Sequence, residues 1–173
     1  MNGSLKFVSR EGIVAVLINK GKILLLKRRN LFFLTNPGIW FFLTGAIERG
    51  ETYLDAAYRE IKEETGISKK ELKPLVSFDV HLFDKARGIK WHNKCFIFYS
   101  KTRKVKLNIE NSKFMWASMK DIEEEKNFSN IFINRQSVIN RIKSVLNGNK
   151  RKAKQNFLKP QHRYRSHNEQ RVH

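Results

Sequence analysis

Apolar residues fall into short runs separated by polar turns. Residues 12–19, GIVAVLIN, are apolar almost throughout, which predicts a strand buried on both faces. Lys20-Gly21-Lys22 is a turn, and residues 23–29, ILLLKRR, predict a second strand that ends in cations. A loop over 30–38 follows, closed by Asn36-Pro37-Gly38. Its apolar Leu31-Phe32-Phe33-Leu34 either covers a site or packs on the core. Residues 39–43 predict a short strand in which Trp40 belongs to the core. Residues 69–73 close a helical region that Pro74 ends. Two long strands, 75–83 and 91–100, are joined by a turn over 84–90 that contains Gly88. Phe83 and Trp91 flank that turn and either clamp a base or each make ordinary cross-strand pairs. A further strand covers 113–117, and 119–124 begins a short acidic helix. Over 131–146, apolar Ile131, Ile133, Val138, Ile139, Ile142, Val145 and Leu146 keep helical spacing up to Asn147-Gly148.

The stretch from Gly45 to Ile67, GAIERGETYLDAAYREIKEETGI, is organised differently. Glu60, Glu63 and Glu64 stand at i, i+3 and i+4, hence on one helix face. Leu54, Ala57 and Ile61 form the neighbouring apolar stripe, so these carboxylates border the core. Like charges so crowded repel unless a cation sits between them, and an oxygen set favours Mg²⁺. Thr52 with Asp55 is a variant capping box, and Gly66 follows the last turn, where a left-handed residue is wanted. Gly45 and Gly50 bracket a tight loop carrying Glu48 and Glu51. Without a side chain, Gly45 can bring its backbone carbonyl close to a metal.

Gly45, Glu51, Arg59-Glu60, Ile61, Glu63-Glu64 and Gly66-Ile67 match every fixed position of Gx5Ex7REUxEExGU, where U is apolar. This pattern resembles the signature of the Nudix hydrolases, and Trp40, Phe42 and Ala56-Ala57 are similar to its usual surroundings. The one departure is Leu43-Thr44, where the family commonly has Pro-Gly. The resemblance runs from about Gly12 to Leu146. It implies an α/β fold, the Nudix-type α/β/α sandwich with a mixed sheet. It also implies Mg²⁺-dependent cleavage of a phosphoanhydride in a nucleoside diphosphate-linked substrate, with Mn²⁺ as the substitute ion. Glu60, Glu63 and Glu64 would hold metal with the Gly45 carbonyl, and Glu48 is a further candidate ligand. Glu51 and Arg59 would orient them. Arg28 or Arg29 would meet substrate phosphate. Glu110, six residues before Trp116, stands where some members carry a fourth carboxylate. The general base is left open among Glu63, Glu60 and Glu110.

Composition adds charge to this picture. The 173 residues carry a formal +19, and 40% hydrophobic content suffices for one domain's core. Residues 1–149 hold 27 Lys and Arg against 15 Asp and Glu, so +12 remains without the last stretch. Seven of the sixteen acids lie between Glu48 and Glu71, an acidic site in a basic protein that suits polyanionic substrates. A Nudix domain over 1–148 and a basic, disordered tail over 149–173 are expected. RNA or another polyanion is a candidate partner for the basic surface and tail. Cys95 alone excludes an intramolecular disulfide and a thiolate zinc site, and is expected to be a buried thiol. The histidines lack metal-ligand spacing. No apolar stretch reaches membrane-spanning length, and a cytoplasmic protein is the default expectation; oligomeric state is not set.

The Pro and Tyr marks that accompany ADP-ribose and dinucleoside polyphosphate subgroups are missing around Phe83-Asp84-Lys85. Leu43-Thr44-Gly45, Glu110 with Trp116, and Asn134-Arg135-Gln136 are instead similar to bacterial dATP and dihydroneopterin triphosphate pyrophosphohydrolases. The expected activity is therefore a nucleoside triphosphate pyrophosphohydrolase. The alternatives are hydrolysis at an RNA 5′ end, or a nucleic-acid-binding protein on a Nudix scaffold.

Overall fold

The computed structural model describes residues 7–30, 38–84, 87–124 and 135–148. The elements run β1 (Val8–Asn19), β2 (Lys22–Arg28), β3 (Trp40–Phe41), β4 (Leu43–Ala46), α1 (Tyr53–Thr65), a 3₁₀ turn (Lys69–Glu71), β5 (Leu72–Asp84), β6 (Ile89–Ser100), β7 (Asn111–Ala117), α2 (Met119–Glu124) and α3 (Arg135–Leu146). The seven strands make one mixed sheet with the path β3-β2-β1-β6-β5; β4 adds to β1 and β7 to β2. Only β1 and β6 run parallel among these pairings.

The apolar run of β1 is central because both of its faces are covered. Ile13, Ala15 and Leu17 pack with Ala56, Ala57 and Ile61 of α1, together with Phe96 and Phe98. Val14, Val16 and Ile18 pack on the opposite face with Ile122 of α2 and Val138 and Ile142 of α3. Alternate residues along a strand face opposite ways, so the continuous run satisfies both layers. This is the expected α/β/α sandwich. Cys95 is fully buried in the second cluster, and burial pushes its thiol up.

One property of β1 opens the site. At Ile18 and Asn19 its edge pairs with Ile23 and Lys22 of β2 across the Lys20-Gly21 hairpin. Both turn residues have positive φ, 45° and 75°, as a two-residue primed turn requires. From Gly12 to Ala15 the same edge instead pairs with Ala46 to Leu43 of β4. That edge of β2 has by then turned to β3, while its other edge pairs with β7 from Ile23 to Arg28. The box glycine and the ends of β2 and β7 therefore border the point where the sheet divides.

Several boundaries differ from the sequence expectation; the strand expected at 39–43 is split into β3 and β4, and β7 begins at Asn111 rather than Lys113. Pro74 does not end the helical region; it lies within β5, beside an irregularity between Pro74 and Val76. β5 is an edge strand, where a residue without an N–H is tolerated. β1 and β6 both begin earlier than their apolar runs, because exposed Val8 to Glu11 pair with Ile89 to His92. Phe83 and Trp91 cannot clamp one base together: Phe83 pairs with Lys90 and Trp91 with Leu82, so neighbouring positions put the two rings on opposite faces. Ile131 and Ile133, the loop at 31–37 and the tail from 149 lie outside the described residues.

Candidate active site

Helix α1 presents the glutamates, and both its ends are fixed by local chemistry. Thr52 Oγ1 accepts the Asp55 N–H at 3.1 Å, and Gly66, at φ 71°, donates to the Lys62 carbonyl at 2.9 Å. Between them the helix lies on β1 and β4, and its Glu60 side chain covers Gly45. A Cβ there would sit 2.1 Å from Glu60 Cδ. Glycine at this position is thus explained first by the carboxylate laid over it. Its carbonyl oxygen lies 2.5 Å from where a Cβ on Gly12 would stand, beside Asn93 Oδ1.

Arg59 knits the loop to the helix. Its Nε and one terminal nitrogen donate to the two Glu51 carboxylate oxygens at 2.8 and 3.0 Å, and the same terminal nitrogen donates to the Ala46 carbonyl at 2.9 Å. The other terminal nitrogen donates to Glu60 Oε1 at 2.7 Å and to Glu63 Oε2 at 3.4 Å. Glu51 also accepts the Glu48 N–H at 3.0 Å. A planar fork with five donors suits this task. The pairing with Arg59 holds the Glu51 carboxyl below the usual carboxylate range and raises the Arg59 guanidinium still further. Glu48 is 69% exposed, 3.8 Å from Arg59 Nε.

Glu64 has a different environment. It is 5% exposed, and burial pushes its carboxyl up to about 8. The hydrogen bond from Asn111 Nδ2, at 2.8 Å, opposes that shift, while Glu60 and Glu110 add to it. Glu60 is raised for the same first reason, burial, against the pull of Arg59. Glu63 is 55% exposed.

The ends of β2 and β7 supply the rest. Arg28 stands 3.9 Å from Glu110, with its guanidinium 4.6 Å from the Phe41 ring centre. It is half-buried and lowers the electrostatic cost of Glu64. Arg29 plays another part. Its backbone N–H donates to the Glu110 carbonyl at 2.8 Å, and its side chain donates to the Asn111 carbonyl at 3.3 Å, which ties the two strand ends together. Glu60, Glu64, Glu110 and Arg28 thus form one electrostatic group, with Glu63 joined to Glu60 through Arg59.

Asn111 was not foreseen. Its Nδ2 bridges Glu64 and Asn108 Oδ1, and its own Oδ1 is buried without a protein partner. The adjacent Glu110 was the only pointer in the sequence.

These donors suit a hard divalent cation. All are oxygens, two carboxyls are pushed upward by burial and by neighbouring carboxylates, and a buried amide oxygen nearby lacks a donor. Among the described residues no three acidic or histidine side chains converge on one point as they stand, and Arg59 bridges Glu60 and Glu63.

The model of the NUDIX domain matches residues 8–135, and the chain belongs to that family. Members of the family use divalent cations. The chain is 36% identical over 90 residues to an RNA pyrophosphohydrolase of Pelagibacter ubique, covering 49% of this chain and 53% of that protein. The matched stretches span from about a fifth to about half of the curated relatives' own lengths. Among solved structures it is similar to a MutT protein from Methanosarcina mazei, with TM-score 0.67, 25% identity, and coverage of 82% of this chain and 98% of that one. It is also similar to the E. coli dihydroneopterin triphosphate pyrophosphohydrolase, with TM-score 0.53, 25% identity, and coverage of 66% and 85%. No helix among the described residues is long and apolar enough to cross a membrane.

Proposed function

We propose that this chain hydrolyses a phosphoanhydride of a nucleoside triphosphate with Mg²⁺, releasing pyrophosphate. The observation that carries this reading is the glutamate face of α1, with Glu64 buried and Glu60 partly buried beside the divided sheet and Arg28 and Glu110 nearby. Glu60, Glu63 and Glu64 would hold the metal, helped by the Asn111 amide oxygen; the Gly45 carbonyl and Glu48 remain further candidates. A divalent cation there supplies Lewis acidity toward the phosphoryl oxygens. Arg28 would pair with a substrate phosphate, leaving its long contact with Glu110. Water attacks phosphorus, its proton passes to a carboxylate, and the anhydride P–O bond breaks with its electrons leaving on the pyrophosphate. Glu63 and Glu110 suit the proton transfer, being 55% and 45% exposed and so reachable by water. Glu51 and Arg59 would keep the loop and helix in register. Similarity to the E. coli enzyme and Leu43-Thr44 before the box glycine support a dATP or dihydroneopterin triphosphate substrate.

A second reading is favoured by the +12 carried by residues 1–149, and by the relative named an RNA pyrophosphohydrolase: hydrolysis at a triphosphorylated RNA 5′ end. Measuring kcat/KM on dATP, dihydroneopterin triphosphate, ADP-ribose and a triphosphorylated RNA decides between them. A free triphosphate preferred by tenfold or more supports the first reading, and the reverse preference replaces it with the second.

A further inference from the structure

The sheet continues past the catalytic helix as a three-stranded ribbon. The start of β1, the start of β6 and the end of β5 pair there, with Ser9 opposite Lys90 and Lys90 opposite Phe83. One step inward, Glu11 and His81 flank His92. Cross-strand partners share a face, and this face is the one that α1 covers further along at Ile13, Ala15 and Leu17. Beyond α1 the described residues Ser9, His81, Lys90 and His92 are exposed. Phe7 is 40% exposed and meets Phe83 edge-on at 5.0 Å. Lys90 Nζ stands 4.9 Å from the Phe7 ring centre, and the exposed His81 and His92 rings lie 5.0 Å apart.

The acids of this face already have partners. Glu11 accepts from Tyr53 at 2.8 Å, and Asp79 is paired with Lys94 at 2.8 Å. What faces outward is the exposed Phe7 ring against a half-buried Phe83, with an exposed lysine and two exposed imidazoles, on a protein of charge +19. Accessible rings beside a cation fit a chain of bases and phosphates: rings stack on any base, and ammonium groups pair with the backbone. The ribbon also points to the catalytic face. Ser9 is four residues along β1 from Ile13, which pairs with Gly45 under Glu60, so the two lie about 13 Å apart at the strand rise. About four stacked nucleotides span that distance.

We propose that this exposed end of the β1–β6–β5 ribbon is a docking surface for single-stranded RNA, with Phe7 and Phe83 as stacking rings and Lys90 as a phosphate contact. The proposal rests on the RNA reading of the active site and assigns the strand downstream of the reacting 5′ end to this face.

The test uses the full chain, a 5′-monophosphorylated ten-nucleotide RNA, and the variants Phe83→Ala and Lys90→Glu. Phe83→Ala should raise Kd about tenfold. Lys90→Glu, at an exposed position, should weaken binding and flatten its salt dependence by about one contact. Both variants should hydrolyse a free nucleoside triphosphate within about twofold of the parent. Unchanged RNA affinity in both variants overturns the proposal. So does a change of oligomeric state with RNA affinity intact, which would make the face a contact between copies. A triphosphorylated ten-mer that binds through Phe83 and Lys90 but is not hydrolysed leaves the docking surface standing and ends the RNA reading of the active site. Hydrolysis of that ten-mer at equal rates in parent and variants removes the docking surface alone.

Discussion

The buried Glu64 makes metal-free protein less stable as pH rises. Its carboxyl titrates near 4.5 when exposed and is pushed up to about 8 in the fold. Between those values the folded state holds a proton that the unfolded state has lost, so unfolding stability falls with rising pH. The stabilisation is complete below about pH 4.5, declines through the window and levels off above about 8. The full displacement corresponds to at most about 5 kcal/mol at 1.36 kcal/mol per pH unit. Even about 2 kcal/mol shifts the melting midpoint of a chain this size by roughly 4–8 °C. Glu60 is displaced in the same direction and adds to the decline. Glu51 is displaced downward, so its contribution is lost only as pH falls below the ordinary carboxylate range and is constant over the window tested. The assay is thermal unfolding in EDTA from pH 5.5 to 8.5, for the parent and Glu64→Gln. The difference between the two curves removes the effect of the basic surface, which gains stability as its positive charge falls. The parent should lose stability relative to Glu64→Gln as pH rises, and saturating Mg²⁺ should restore most of it. A pH-independent difference, or one of opposite slope, refutes this account of the burial of Glu64.

Other substitutions separate geometry from stability. Glu63→Gln should abolish turnover while leaving the fold intact, since Glu63 is 55% exposed; near-parental turnover at saturating Mg²⁺ contradicts its role. Glu110→Gln should lower kcat about 10²-fold, and a loss below about threefold shows that its carboxylate takes no part. Gly45→Ala places a methyl 2.1 Å from Glu60 Cδ, so the carboxyl must move. A displacement of that kind should lower kcat about 10²-fold, measured beside a melting curve that shows the domain still folds. A chain ended at Gly148 should bind single-stranded RNA more weakly, with a shallower salt dependence, and keep kcat on a free triphosphate; equal affinity and slope remove any role for the tail.

The sequence exposes what is local. Caps at Thr52 and Gly66, the i, i+3, i+4 glutamates and the doubly buried run of β1 are each set within a few residues, and the structure contains all of them. Features that depend on register were illegible. Asn111 reaches Glu64 across 47 positions only because β7 pairs with β2 and Arg28 falls opposite Asn111. The sequence leaves Phe83 and Trp91 open between a base clamp and ordinary cross-strand pairing; the hairpin register puts them on opposite faces and gives Phe83 the unexpected neighbour Phe7. The early start of β1 has no apolar signal, because its pairing partner at 89–92 is distant in sequence. The role of Arg59 was half visible. Its place in the motif marked it as an orienting group. Its bridging of Glu60 and Glu63 required coordinates.

The most direct test of the central claim is ³¹P NMR of dATP incubated with the parent and with Glu63→Gln, each with Mg²⁺ and with EDTA. Release of pyrophosphate and dAMP by the parent with Mg²⁺, and by none of the other three mixtures, is the predicted result. Pyrophosphate release that persists in EDTA or in Glu63→Gln would contradict a metal-dependent hydrolase built on the glutamate face of α1.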